Sequence, residues 1–190
     1  TFVGRLSTAK GIPFLLEAVR TIGVPYRLVL AGASGSGEDG ARMDRLVAAA
    51  GPHVVHTGPL PQTDIAALLR TSHAFVLPSL FEGLPLTMLE ALASGCPVIV
   101  SALPTIASWI PAEWWKDNAV TLVRPLITTN ADEPVASDIP RFTHDLAAAL
   151  RVALARPVDP EARIALAKQL APHSWSAVFE RYERVYARYA

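Results

Sequence analysis

Short apolar runs alternate with segments of helical period through the first hundred residues of the chain. Phe2-Val3 reads as a strand that ends at Gly4-Arg5. From Gly11 to Ile22, Ile12, Leu15, Leu16 and Val19 recur at the spacing of an amphipathic helix. Tyr26 to Ala31 reads as a second strand, followed by a loop from Gly32 to Gly40, and Ala41 to Ala50 sets Met43, Leu46, Val47 and Ala50 at helical spacing. His53 to Thr57 is a third strand, stopped by Gly58-Pro59, and Ile65, Leu68 and Leu69 mark the next helix, with Asp64 in its first turn. Ala74 to Leu77 and Val98 to Val100 are strands on either side of a helix from Leu84 to Ser94, which Gly95 closes. Strand–helix alternation of this length predicts an α/β fold: a parallel sheet of about six strands with helices on both faces.

The pattern loosens after Ser101. Leu103 to Trp115 is rich in Pro and Trp, Ala119 to Val123 reads as a last strand, and Ile127 to Arg141 reads as loop. Residues 142–190 then predict C-terminal helices over Phe142–Arg156, Pro160–Leu170 and Trp175–Arg188, separated at Pro157 and Pro172. On the last of them Val178, Tyr182, Val185, Tyr186 and Tyr189 share a face, while Arg181, Glu183, Arg184 and Arg188 lie largely off it. No repeat or low-complexity tract interrupts the chain, so residues 1–190 read as one domain.

Composition narrows the function classes. Seventeen Lys plus Arg balance 17 Asp plus Glu, which argues against a strongly basic nucleic-acid binder. A single cysteine, Cys96, excludes a disulfide framework and a multi-cysteine zinc site. The 22 residues from Ala91 to Ala112 carry no charge, but Gly95, Pro97 and Pro104 break them, so buried core is expected rather than a membrane span. The chain opens on a strand without an initiator Met, and we expect it to be a piece of something longer.

In open α/β sheets ligands bind at the carboxyl ends of the strands, where helix N-termini point free N–H groups. After the first strand, Gly4 to Gly11 places Arg5 and Lys10 around one loop that opens a helix. A bidentate fork, a point charge and a helix dipole together suit a diphosphate, although two solvated surface charges fit the spacing equally well. After the second strand, Gly32, Gly35 and Gly37 match neither G-x-x-x-x-G-K-[ST] nor G-x-G-x-x-G, and read as a flexible turn. After the fourth strand, Glu82 precedes a helix and Glu90 lies about two turns into it, roughly 9 Å along the axis. Carboxylates so placed do not act as an acid/base pair on one bond, but each can accept from hydroxyls of an extended ligand. Core-like Met88, Leu89, Ala91 and Leu92 surround Glu90, so a partner for its charge is expected. The five histidines form no metal motif, Cys96 fits core packing, and Trp109, Trp114 and Trp115 suit packing more than a sugar or a partner domain.

Several segments together resemble a known family: Val3-Gly4-Arg5-Leu6, Lys10-Gly11, Leu28 to Gly32, Val55 to Gly58, and above all Leu77-Pro78-Ser79, Glu82-Gly83-Leu84-Pro85 and Glu90 to Ile99. They are similar to retaining glycosyltransferases of the large group-1 set (family four). The resemblance is to the C-terminal, nucleotide-sugar-binding half of the two-domain B-type (GT-B) fold, a Rossmann-like domain. It is close from Thr1 to Ser101, weak from Ala102 to Ala171, and returns at Ser174-Trp175 and Tyr182 to Tyr186. Two segments depart from it: Ala102-Leu103-Pro104-Thr105-Ile106 stands where the family often has Gly-Gly-x-x-Glu, and Ser72-His73 stands where it often has Ala-Asp.

The resemblance implies that Arg5 and Lys10 hold the diphosphate of a UDP- or GDP-linked sugar and that Glu82 contacts the sugar. It further implies that Gly83 and Leu84 offer N–H groups near sugar and phosphates, that Glu90 binds the ribose, and that backbone around Leu60 lines the nucleobase. It implies hexosyl transfer to a glycan or lipid-linked acceptor held by an upstream domain absent here, in polysaccharide biosynthesis. No Asp-x-Asp occurs, so no obligatory metal or other cofactor is expected. A cytoplasmic enzyme is implied, peripheral at the inner membrane face, whose last helix crosses back to the other domain. Two other readings stand beside this one. A sugar-nucleotide 2-epimerase or a phosphorylase would share a related fold, the latter needing a cofactor lysine among Lys10, Lys116 and Lys168. A non-catalytic nucleotide-sugar-binding module would keep the binding residues without turnover.

Overall fold

The computed structural model describes residues 1–108, 110, 111, 114, 119–130 and 133–189. Six parallel strands form two three-stranded sheets rather than one uninterrupted ladder: β1 (Phe2–Val3), β2 (Leu28–Ala31) and β3 (Val54–Gly58) in one, β4 (Phe75–Leu77), β5 (Val98–Ser101) and β6 (Val120–Val123) in the other. The two meet edge to edge, where the Val76 N–H donates to Thr1 O at 2.8 Å and the Thr1 amine donates to Ala74 O at 2.9 Å. Across that seam the strands run 3-2-1-4-5-6, so β1 and β4 lie side by side at the centre and their following loops share one end of the molecule.

Between the strands run α1 (Ile12–Arg20), α2 (Gly37–Ala48), α3 (Gln62–Thr71), α4 (Leu86–Ala93) and the single turn α5 (Pro104–Ala107). After β6 comes an antiparallel hairpin of β7 (Thr128–Asn130) and β8 (Glu133–Pro134), then α6 (Ile139–Ala155), α7 (Pro160–Gln169) and α8 (Trp175–Tyr186). One group of helices packs α1 against α2 and α6, the other packs α4 against α3 and α7. The strands β4 and β5 are buried throughout, the continuous apolar signature of a sheet covered on both faces.

Two stretches differ from the sequence expectation. The predicted Gly32–Gly40 loop is shorter, because α2 begins at Gly37; an ideal Cβ on Gly40 would sit 1.7 Å from Gly35 O, so only glycine lets the loop fold this closely onto the helix. The segment predicted as loop from Ile127 to Arg141 contains the hairpin, a 3₁₀ turn at Ala136–Asp138 and the first turn of α6. Asp138 organises it: its carboxylate accepts from the Ile127 N–H at 2.9 Å and from Arg141 Nε at 2.8 Å. Arg141 in turn donates to Pro125 O and Asp145. The last helix buries none of its residues, and Trp175, Phe179, Tyr182 and Tyr186 are all exposed.

Cys96 is fully buried, as core packing requires, and so is Trp114, which meets His173 edge-on with ring centroids 5.8 Å apart. Trp109, Trp115 and Lys116 lie outside the described residues. Among the described residues no helix is long and apolar enough to cross a membrane.

Candidate functional site

The loops that follow β1 and β4 are locked together at the carboxyl end of the sheet. Gly11 makes the closest approach: it has a φ of 76°, and a Cβ there would fall 2.1 Å from Pro78 O. The Leu80 N–H donates to Ala9 O at 2.8 Å, a second tie between the same loops. On its other side the β1–α1 loop is braced by α2, since the Thr8 N–H and hydroxyl both donate to Asp39 and Arg42 donates to Thr8 Oγ1. The loop after β2 joins in through the Gly35 N–H, which donates to Leu6 O.

This scaffold brings Lys10 and Glu82, 72 residues apart in sequence, into direct contact. Lys10 Nζ donates to Glu82 Oε1 at 2.6 Å. The same oxygen accepts from Ser79 Oγ at 2.7 Å, while the Glu82 backbone carbonyl accepts from Thr105 Oγ1 at 2.8 Å. Glu82 is only 7% exposed, and a cation and a hydroxyl both face its carboxylate, as a buried acidic group requires. Its second oxygen, Oε2, accepts from no described residue. Gly83 and Leu84 follow it, exposed, and lead into the N-terminus of α4.

Arg5 stands on the same loop as Lys10, exposed, and forms no hydrogen bond or ion pair with a described residue; its Cδ lies over Gly35. It is therefore a cation free to meet an anion from solution. Leu60 sits in the β3–α3 connection, half-buried against the core. Above it in the chain, the His56 ring donates through Nε2 to Gly32 O at 2.7 Å and ties the ends of β2 and β3.

Glu90 corrects the expectation of a paired carboxylate. It is half-buried on α4, yet no described side chain hydrogen-bonds to it. It lines a groove of about 630 Å³ with Leu84, Leu86, Leu89, Trp175 and Arg181, and that groove includes none of Arg5, Lys10 and Glu82. Position along the helix explains this: Glu90 is one turn beyond Leu86 and so shares its face toward α7 and α8. Among the described residues no three His, Cys, Asp or Glu side chains cluster as a metal site would require.

Sequence reasoning missed Ser79 and Thr105. Ser79 stands three residues before Glu82 in a loop, a spacing that often signals a local turn contact. Thr105 had no such signal, because its partner is 23 residues away.

Residues 1–113 match the family described as Glycosyl transferases group 1. The MMP alpha-(1->4)-mannosyltransferase of Mycolicibacterium hassiacum is 35% identical over 102 residues, covering 51% of this chain and 25% of that protein. The glycogen synthase of Mycobacterium tuberculosis is 28% identical over 195 residues, covering 97% of this chain and 41% of that protein. Among solved structures, sucrose-phosphate synthase from Thermosynechococcus elongatus superposes with a TM-score of 0.63 at 28% identity, covering 98% of this chain and 44% of that one. The chain spans less than half the length of these relatives.

Proposed function

The chain belongs to the group-1 glycosyltransferase family, and from that premise we propose that it is the donor-binding part of a retaining glycosyltransferase. In this reading it holds a UDP- or GDP-linked sugar, whose hexosyl group passes to a glycan or lipid-linked acceptor held elsewhere in the protein. The reaction belongs to polysaccharide assembly on the cytoplasmic side, at the membrane face. The observation that carries the reading is the 2.6 Å contact between Lys10 and Glu82 at the carboxyl end of a parallel sheet, with the cation Arg5 exposed on the same loop as Lys10.

Breaking an anomeric C–O bond builds negative charge on the departing diphosphate. Arg5, with its planar fork, and Lys10, as a point charge, act where that charge develops, which lowers the barrier rather than merely tightening binding. Glu82 Oε2 accepts from hydroxyls of the transferred sugar, and the N–H groups of Gly83 and Leu84 face sugar and phosphates. Glu90 accepts from the ribose hydroxyls, consistent with a half-buried carboxylate that the chain itself leaves unpaired. Backbone around Leu60 lines the base. None of these steps uses a metal or other cofactor.

Thermal-shift measurements against UDP-, GDP- and ADP-sugars test this reading. One nucleotide series should raise the melting temperature in a concentration-dependent way. No shift with any of the three would overturn it.

A further inference from the structure

We propose that Ser79 and Thr105 are positioning residues for Glu82, holding its carboxylate and its backbone so that Oε2 stays open to a sugar while Lys10 is released to the diphosphate. The inference rests on the donor-site reading above and adds to it two hydroxyls that the family resemblance did not assign.

Ser79 lies two residues beyond β4 and is 1% exposed. It donates to Glu82 Oε1, the oxygen that Lys10 also holds. Thr105 comes from a different element, the single turn α5 after β5, and donates to the Glu82 carbonyl. Side chain and backbone of one glutamate are thus fixed from two separate elements. Such support is what keeps a binding group within a fraction of an ångström of its working position.

The arrangement also answers a problem of charge. Lys10 neutralises Glu82, but a diphosphate offers Lys10 a stronger anion. When Lys10 turns to it, a carboxylate only 7% exposed loses its cation, and an unsatisfied buried oxygen is costly. The Ser79 hydroxyl remains on Oε1 throughout that exchange. Oε1 of Glu82 thus keeps a hydrogen-bond donor when Lys10 leaves it, and Oε2 stays open to a sugar. Thr105 sits within Ala102-Leu103-Pro104-Thr105-Ile106, the segment that departs from the family pattern, and its hydroxyl joins that segment to the Glu82 loop.

The test is calorimetric titration of the chain with UDP, GDP and ADP and with UDP-glucose, GDP-mannose and ADP-glucose. The decisive quantity is the affinity for the nucleotide sugar divided by the affinity for the matching diphosphate. Ser79→Ala should weaken diphosphate binding, because releasing Lys10 then leaves Glu82 Oε1 without a donor, and should lower the ratio by about a further tenfold. Ser79→Thr, which keeps a hydroxyl, should restore both. Thr105→Val against Thr105→Ser makes the same comparison from the backbone side and serves if Ser79→Ala does not fold. A purely structural role would reduce the melting temperature and leave the ratio at its wild-type value, and that result would overturn the inference. Wild-type protein that binds none of the six compounds would instead overturn the donor-site reading beneath it.

Discussion

Lys10 Nζ lies 2.6 Å from Glu82 Oε1, so a cation suited to phosphate and a carboxylate suited to sugar hydroxyls neutralise one another across two loops. The pair makes opposite predictions for its two members. Lys10→Met removes a charge-assisted contact worth roughly 1.5–3 kcal/mol, so nucleoside diphosphate affinity should fall about 10- to 100-fold. Glu82→Gln instead frees Lys10, so diphosphate affinity should hold or rise while the added affinity from the sugar is lost. Titration calorimetry on both variants checks this, and equal losses for the diphosphate in both would count against it.

A second prediction concerns the joint between the loops. Gly11→Ala must place a Cβ against Pro78 O at a backbone angle that L residues rarely adopt. The cost should be about 1–3 kcal/mol from backbone strain, with the clash in addition. Gly23 has a similar φ of 71° and open space around it, so Gly23→Ala should cost only about 1–2 kcal/mol. Chemical denaturation of both variants measures the difference. Donor affinity should fall in Gly11→Ala even under conditions where it is folded, because Lys10 and Glu82 are then moved apart.

Much of this architecture is legible in the sequence itself. Most strands from Phe2 to Val100 and the helices between them declare themselves by a continuous or one-sided buried apolar set, as with Phe75-Val76-Leu77 and with Ile12, Leu15, Leu16 and Val19. By contrast, β3 declares itself by Val54-Val55 and the Gly58-Pro59 stop, although none of its residues is fully buried. The β7–β8 hairpin did not, since Thr128, Thr129 and Asn130 are polar, short in run and held by Glu133 rather than by burial. Glu82 and Lys10 could be suspected from their places after strands, but their contact is a product of the β1–β4 adjacency. Thr105 escaped for the same reason: its role depends on a partner that only the fold brings near. Glu90 misled because Met88, Ala91 and Leu92, beside it in sequence, are the buried residues of α4, while Glu90 itself lines the groove with Leu86 and Leu89.

Asp138 supplies a prediction in pH. Hydrogen bonds from Arg141 and the Ile127 N–H hold its carboxyl well below the usual carboxylate range. A group with a lowered folded pKa contributes stability above its unfolded pKa of about 3.9 and loses that contribution as pH falls toward the folded value. Asp138→Asn should therefore lower the melting temperature at pH 7, and the gap to wild type should narrow progressively below about pH 4. A gap independent of pH between 7 and 3 would count against this assignment.

Burial also pushes the Cys96 thiol above its usual range, and its sulfur has no exposed surface. Cys96 should be unreactive toward maleimide in native protein at pH 7 and react fully in denaturant. Rapid native labelling would show that the turn between α4 and β5 opens readily.

The central claim is that Arg5, Lys10 and Glu82 form a donor diphosphate site. Its most direct measurement is titration of UDP, GDP and ADP into wild-type protein and into an Arg5→Ala, Lys10→Met double variant, at fixed low salt with melting temperatures in parallel. The account predicts saturable binding of at least one nucleotide by wild type, with a loss of 100-fold or more in a variant that remains folded. Equal affinity in the double variant, or no binding of any of the three by wild type, would contradict it.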